Sequence, residues 1–317
     1  MKTHPKSLVS GLSTRTRIFR VLVIATATLG LLSGSAMAAS KKEKTKAAPA
    51  DSAFVEPGAK QFEELDPKAF ERSEHIDNPW LPLKPGTQWI YEGYTMEEGK
   101  RLPHRIVFTV TDLVKEIGGV RTRVVYDTDI SDGVAIEKEL TFFAQDKAGN
   151  VWHLGQYREV HDEEGFVGGQ IWHIGNPEGA KAGIMMPANP QPNTPSFSEG
   201  YAPPPFNWTD RGRVYKMGQK LKVPAGSYED VLVMDEFDAA NPGVFQLKYY
   251  ARGVGNVAVG HRGKKTDTSE VLNLVKVHQL SPAELAQVRA TALELEKRGS
   301  MYPPSPIQHV PLAQTTP

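Results

Sequence analysis

Hydrophobic and polar residues alternate with a period of two along most of the chain from residue 89 onward. Such alternation, in runs rich in β-branched and aromatic residues, is typical of half-buried β-strands. Glycine, aspartate or asparagine ends most of these runs. The pattern predicts about eleven strands, at residues 89–94, 105–111, 121–127, 136–144, 150–160, 169–175, 213–223, 230–237, 245–251, 256–260 and 269–279.

One helix is predicted after the last strand. Ser281–Glu284 has the composition of a capping box with proline at the first helical position, hydrophobic residues then recur every three to four positions, and Gly299 follows. Because no helix is predicted between the strands, we expect an all-β fold. It would be a single antiparallel, strongly curved sheet, arranged as a barrel, half-barrel or sandwich, with one C-terminal α-helix.

The N-terminal residues have the composition of a targeting segment. Residues 1–20 are basic without any acid, residues 21–32 are apolar, and Ala36–Ala38 provides small residues for cleavage. A helix of that apolar length reaches only about 18 Å, which is too short for a bilayer. We therefore expect a cleaved signal peptide and export to the periplasm or beyond, with an N-terminal membrane anchor as the alternative. The predicted segments are a signal peptide (1–38), a disordered leader (39–65), a β domain (66–280), a helix (281–299) and a disordered tail (300–317).

Charge and composition exclude several classes of function. The chain has 37 basic and 37 acidic residues, and removal of the signal peptide leaves 32 basic residues against 37 acidic ones. A mildly acidic chain is a poor ligand for nucleic acid. The absence of cysteine excludes disulfides, thiolate metal sites and cysteine nucleophiles. No stable membrane span is expected after signal cleavage, and no cofactor is predicted.

Five short motifs between residues 76 and 280 carry a resemblance. They are NPWLPLKPGTQW (78–89), AQDKAGNVW (144–152), GAKAGIMMPA (179–188), VPAGSY (223–228) and KYYARGVG (248–255). On these motifs the chain resembles an uncharacterised family of exported bacterial proteins, which implies export and domain boundaries but no chemistry. In that pattern tyrosine is commoner than histidine at position 153. The predicted sheet is also similar in architecture to the curved sheets of bacterial lipid-carrier lipoproteins.

An acidic stretch raises the question of a metal site. Asp127, Asp129 and Asp132 fall within six residues, but an EF-hand calcium loop fits them one residue out of register. Asp132 before a glycine, between two alternating runs, favours a β-hairpin instead. Glu137 and Glu139 are then expected to share the solvent face of the second strand. A calcium site of another type in this turn remains an alternative.

Two nearly identical tetrapeptides provide a second candidate metal site. A hairpin centred near Glu163 would place His153, which follows Trp152, opposite His173, which follows Trp172. The two imidazoles could bind zinc or copper together with Glu159, Asp162 or Glu163. The alternative is a cross-strand histidine pair without a metal.

Residues 187–208 form a proline-rich segment with several aromatic residues, which predicts either a lid over a cavity or a crossover packed on the surface.

No nucleophile elbow, phosphate loop or zinc-protease motif is present. The sequence therefore favours a non-enzymatic protein that binds a small apolar or amphipathic molecule. A structural or interaction module of the cell envelope is the alternative, and an envelope hydrolase the third possibility. The candidate ligand-binding residues are Trp89, Tyr91, Trp152, Trp172, Phe197, Tyr201, Phe206 and Trp208.

Overall fold

The structure is a computed structural model that describes residues 57–97, 99–204, 206–264, 269–299 and 307–309. The predicted signal peptide, the leader up to residue 56 and most of the predicted tail lie outside the described residues.

Antiparallel strands form the body of the molecule, and the predicted fold class is confirmed. Each of the eleven predicted strands is present, and four short strands (β7, β8, β9 and β15) bring the sheet to fifteen. The strands are β1 (Thr87–Glu97), β2 (Lys100–Ile117), β3 (Val120–Ser131), β4 (Val134–Gln145), β5 (Val151–Asp162), β6 (Gly165–His173), β7 (Lys181–Met186), β8 (Phe197–Ser198), β9 (Gly200–Tyr201), β10 (Arg211–Val223), β11 (Gly226–Phe237), β12 (Val244–Ala251), β13 (Gly255–Gly263), β14 (Glu270–Gln279) and β15 (Gln308–His309).

The strand order explains the curvature of the sheet. Neighbours run β8-β10-β11-β12-β13-β14-β1-β2-β3-β4-β5-β7-β9, while β6 pairs with β5 and β15 with β2. The first and last strands of this order, β8 and β9, are separated by one residue in the chain. The sheet therefore bends until its two edges approach each other, although it does not close.

The helix α1 (Pro282–Arg298) packs on the outer side of the sheet against β2 and β4. Its capping box is formed as the sequence indicates, with Ser281 Oγ accepting from the Glu284 backbone N–H at 3.3 Å. At its last turn, Arg298 donates to both carboxylate oxygens of Glu159 on β5, at 2.8 and 3.0 Å. The outer core beneath the helix contains Leu113, Leu140, Phe142, Trp152, Leu154, Ala292 and Leu295.

A second core fills the concave side of the sheet. It draws residues from both halves of the strand order, including Trp89 and Phe108 on one side and Met234 and Leu272 on the other. The segment of residues 76–86, here called the cap segment, covers one end of this inner core. Its residues Ile76, Trp80, Leu81 and Leu83 are buried within the inner core.

Candidate functional site

Four carboxylates lie side by side on the concave face of the sheet. In the register of β3 and β4, Asp127 is opposite Glu139 and Asp129 is opposite Glu137. All four side chains are at most 2% exposed. Side chains directly opposite each other on one sheet face have Cβ atoms about 5 Å apart. These four residues, here called the carboxylate patch, therefore form a compact acidic surface inside the molecule.

The prediction that Glu137 and Glu139 face solvent is wrong. The alternation along β4 is present, since Ile136 and Leu140 point to the opposite face, but these two residues are buried as well. Helix α1 covers the outer face of β4, and the curvature of the sheet encloses the inner face. Both faces of the strand are therefore buried.

The three aspartates of the acidic stretch are not brought together. Asp132 and Gly133 form the hairpin turn with φ of 49° and 82°, which suits a type I′ turn. Asp132 is exposed there, whereas Asp127 and Asp129 point inward. Within the part of the chain that the structure describes, no group of three or more histidine or acidic residues is arranged to hold a metal ion.

Three basic side chains lie among the interior acids. His104 Nε2 is 2.7 Å from Glu270 Oε1 and 3.3 Å from Asp129 Oδ2. Arg158 Nε is 3.4 Å from Glu137 Oε2. The third, Lys248 Nζ, lies 3.5 Å from Glu236 Oε2. Each base thus lies within ion-pair distance of at least one acid, and at longer range Lys248 also attracts the carboxyl of Asp127 and Arg158 that of Glu139. Among these groups the acids outnumber the bases.

Burial and crowding shift the protonation of these groups. Burial raises the pKa of Asp129 to about 6, and the attraction of His104 limits this rise. Burial, together with repulsion from Asp129, raises the pKa of Glu137 to about 7 against the opposing effect of Arg158. The pKa values of Asp127 and Glu139 lie well above the usual range because both carboxyls are buried beside other acids. The patch therefore holds protons near neutral pH.

Burial opposes protonation of His104, but Glu270 and Asp129 outweigh it and raise the pKa of His104 to about 10. The imidazolium is therefore a fixed positive charge at this end of the patch.

Several polar atoms beside the patch have no hydrogen-bond partner among the described residues. They include Asp127 Oδ1, Ser131 Oγ and both terminal atoms of Gln156. Gln156 is 1% exposed and lies opposite Thr141, whose hydroxyl donates to Glu139 Oε1 at 3.0 Å. Buried polar groups in proteins are normally hydrogen-bonded. The hydrogen-bonding capacity of this interior is therefore left partly unused by the protein itself.

An apolar cavity of about 30 Å³ adjoins the patch. Asp127, Lys248 and Asn256 provide its polar wall. The rings of Trp89 and Tyr91, two of the candidate ligand-binding residues, line it, while their polar atoms donate to backbone oxygens at 2.8 and 2.9 Å. The remaining lining residues are Leu81, Leu83, Ile106, Phe108, Gly255, Val259 and Leu272.

The other predicted ligand-binding aromatics lie away from this cavity. Trp152 belongs to the outer core, and its indole donates to Asp146 at 2.8 Å. Trp172, Phe206 and Trp208 form a separate buried cluster with Ala180 and Ala202. The last two candidates are Phe197, buried in the inner core, and Tyr201, half-buried against Phe62.

The two histidines do not face each other as predicted. His173 lies opposite Gly155 because the β5–β6 register shifts after Val160. The ring of His153 packs against Trp172, and its nitrogens lie 3.2 and 3.1 Å from the backbone oxygens of Glu199 and Gly155. Burial lowers the pKa of His153 to about 4. Glu159, a predicted third ligand, is bound by the helix through Arg298.

Comparison with known proteins gives little guidance. No family model and no curated protein matches the chain. A solved structure from Bacteroides fragilis, described as an exported protein with a YmcC-like fold, is 13% identical, with a TM-score of 0.36 over 63% of this chain and 98% of that one. A protein from Parabacteroides distasonis described as a lipoprotein is 11% identical, with a TM-score of 0.34 over 64% and 100%. Similarity at this level identifies neither a family nor a function.

Among the described residues, no helix has the length and hydrophobicity needed to cross a membrane.

Proposed function

We propose that the protein is an exported, non-enzymatic binding protein that holds an amphipathic ligand on the concave side of its sheet. The observation that carries this proposal is the position of the carboxylate patch, buried and partly unpartnered, beside an apolar cavity. Asp127 belongs to both features, since it is a member of the patch and lines the cavity.

The energetic cost of the patch argues for a ligand. A buried carboxylate without a compensating partner destabilises the fold, and apolar residues of similar size usually serve a purely structural core better. Here Asp127 and Glu139 lie opposite each other, and no lysine, arginine or histidine nitrogen of the described residues lies within ion-pair distance of either. A ligand that supplies hydrogen-bond donors would offset this cost.

The apolar wall of the cavity suits the other end of an amphipathic molecule. Trp89, Phe108 and Leu272 present hydrophobic surface, as ligand pockets usually do around a few polar groups. The cavity of about 30 Å³ is partly open and has room for only a few water molecules. An outward shift of the cap segment, which contributes Leu81 and Leu83 to the wall, would make room for a larger ligand.

The test is native mass spectrometry of the purified mature chain, combined with organic extraction and identification of what is released. We expect a small amphipathic molecule bound to the parent protein. Leu83→Phe should fill the apolar end and reduce retention, whereas Val277→Ala, at a partly exposed position, should not. A parent protein that carries no small molecule and binds none added to it would refute the proposal.

The second candidate is a structural or interaction module of the envelope, with a filled interior and no ligand. The small volume of the cavity, about 30 Å³, is the observation that favours it. In the same experiment this module would retain nothing, and Leu83→Phe would change only its stability.

A further inference from the structure

We infer that the polar head of the ligand is a protonated amine, held by the carboxylate patch at Asp127 and Glu139. This inference rests on the proposed function and specifies its ligand class. It follows from the sign of the interior charge, the unused hydrogen-bonding groups and the aromatic surface that adjoins them.

The ion pairs of the interior leave two carboxylates without a base at ion-pair distance. Arg158 pairs with Glu137, and His104 pairs with Glu270 and Asp129, so both bases are already engaged. Lys248 pairs with Glu236 on the neighbouring strand. Asp127 and Glu139 are the two patch members left without a base within ion-pair distance among the described residues. A cationic ligand would supply a positive charge beside these two side chains.

The hydrogen-bonding groups around these two carboxylates suit an ammonium head. A primary ammonium group has three N–H donors and no acceptor. Asp127 Oδ1 and Glu139 Oε2 accept no hydrogen bond from the described residues, and neither does Oε1 of Gln156, which lies opposite Thr141 and next to Arg158, the cross-strand neighbour of Glu139. The three side chains with these acceptors are at least 98% buried. The patch thus offers acceptors of the kind that an ammonium head requires.

The surroundings of the patch favour an organic amine over a metal ion or an anionic head. Calcium takes six to eight oxygen ligands at close range, roughly 2.3–2.6 Å, and the described acids are not grouped in this way. An organic ammonium can instead lie near the faces of Trp89, Tyr91 and Phe108, which line the adjoining cavity. A carboxylate or phosphate head supplies no N–H donor to these acceptors, and it would be repelled wherever the patch carboxyls are ionised.

Binding of an amine should be linked to protons. The pKa values of Asp127 and Glu139 are raised well above their usual range by burial and neighbouring acids, so an ammonium that pairs with them must displace protons. Affinity should therefore rise with pH while the amine remains charged. The titratable and charged groups around the pair are His104, Asp129, Glu137, Arg158, Glu199, Glu236, Lys248 and Glu270.

The experiment compares alkylamines, alcohols and carboxylates of equal chain length, from butyl to dodecyl, by isothermal titration calorimetry on the mature chain. Leu83→Ala is included because it widens the apolar end. We expect amines to bind at least about tenfold more tightly than the matched alcohols, as one charge-assisted hydrogen bond provides. Proton release should appear as a dependence of the heat on buffer ionisation.

Asp127→Asn is the decisive variant, because it keeps the shape of the side chain and removes its charge. It should remove the preference for amines and leave alcohol binding in place, whereas Glu229→Gln, at an exposed carboxylate, should change neither. Equal binding of amines and alcohols would overturn the amine inference while the proposed function stands. A calcium-induced rise in melting temperature that Asp127→Asn abolishes would also overturn it, and failure of every compound in both backgrounds would overturn both proposals.

Discussion

The protonation of Glu137 should make the stability of the fold depend on pH. The pKa of Glu137 is raised from 4.5 to about 7, chiefly by burial. The neutral form of Glu137 therefore makes its full contribution to the unfolding free energy below pH 4.5, and this contribution is lost as the pH rises through about 7. The shift corresponds to roughly 3 kcal/mol. Between pH 4.5 and 7 we expect the unfolding free energy of Glu137→Gln to rise above that of the parent by up to about this amount. Urea unfolding at several pH values measures the difference.

The control for this change is Glu229→Gln, whose carboxylate is 76% exposed and pairs with Lys220 on the surface. Its unfolding free energy should follow the parent profile across the same range. A constant difference between Glu137→Gln and the parent at every pH would contradict the assignment of Glu137 as a proton-holding group.

The pKa values of two buried histidines should be shifted in opposite directions. The pKa of His104 is about 10 because of Glu270 and Asp129, whereas burial lowers the pKa of His153 to about 4. We expect nitrogen-detected NMR spectra to show His104 still protonated at pH 8 and His153 still neutral at pH 5.5. Assignments come from His104→Gln and His153→Phe. Titration of both rings near their ordinary value of about 6.5 would show that the interior is solvated.

At the scale of elements, the proline-rich segment 187–208 is part of the packing rather than a lid over the cavity. Phe206 and Trp208 are 5% and 0% exposed, and both belong to the buried cluster that contains Trp172. Truncation of a packed aromatic costs roughly 3–5 kcal/mol. We therefore expect Phe206→Ala to lower the unfolding free energy by about this amount in chemical denaturation. Phe166→Ala, at a side chain that is 57% exposed, should change it little.

The sequence leaves the lid and the packed crossover as alternatives, and a lid aromatic at position 206 would leave the stability of the free protein nearly unchanged on truncation. Proline content alone could not separate the two cases, because it excludes helix and central strand without indicating what the segment contacts. A Phe206→Ala variant as stable as the parent would restore the lid interpretation.

The cap segment depends on one asparagine. Asn78 Oδ1 accepts from the backbone N–H groups of Trp80 and Leu81, and its amide donates to the oxygens of Gly149 and Pro187. Replacement by alanine removes these side-chain partners from the Trp80 N–H and from the two backbone oxygens, whereas the Leu81 N–H keeps its bond to the Asn78 backbone oxygen. We expect Asn78→Ala to lower the unfolding free energy by roughly 2–4 kcal/mol.

A suitable control is Asn189→Ala, at an exposed position in the 187–208 segment, for which the loss should stay within about 0.5 kcal/mol. Similar losses in the two variants would mean that Asn78 does not hold the cap segment.

For the whole molecule, the first question is whether the chain is exported. The basic residues, apolar run and small residues of 1–38 predict cleavage after Ala38. We expect N-terminal sequencing of the exported protein to begin at Ala39, and Ala38→Leu to block processing. Recovery of a membrane-bound chain that still carries Met1 would favour the alternative of an N-terminal anchor.

The sequence alone determined the features that depend on neighbours along the chain. The period of two predicted the strands, Asp132 before Gly133 predicted the first hairpin, and Ser281–Glu284 predicted the start of α1. These features follow from backbone geometry and from hydrogen bonds that span a few residues. They could be predicted because no distant part of the molecule is needed to form them.

Only the tertiary structure decided which strand faces are enclosed and which residues meet. Alternation placed Glu137 and Glu139 on one face of β4, but the curvature of the sheet and the position of α1 buried both faces. A shift of register after Val160 separated His153 from His173. The carboxylate patch was therefore missed, because the burial of a side chain depends on elements far away in the sequence.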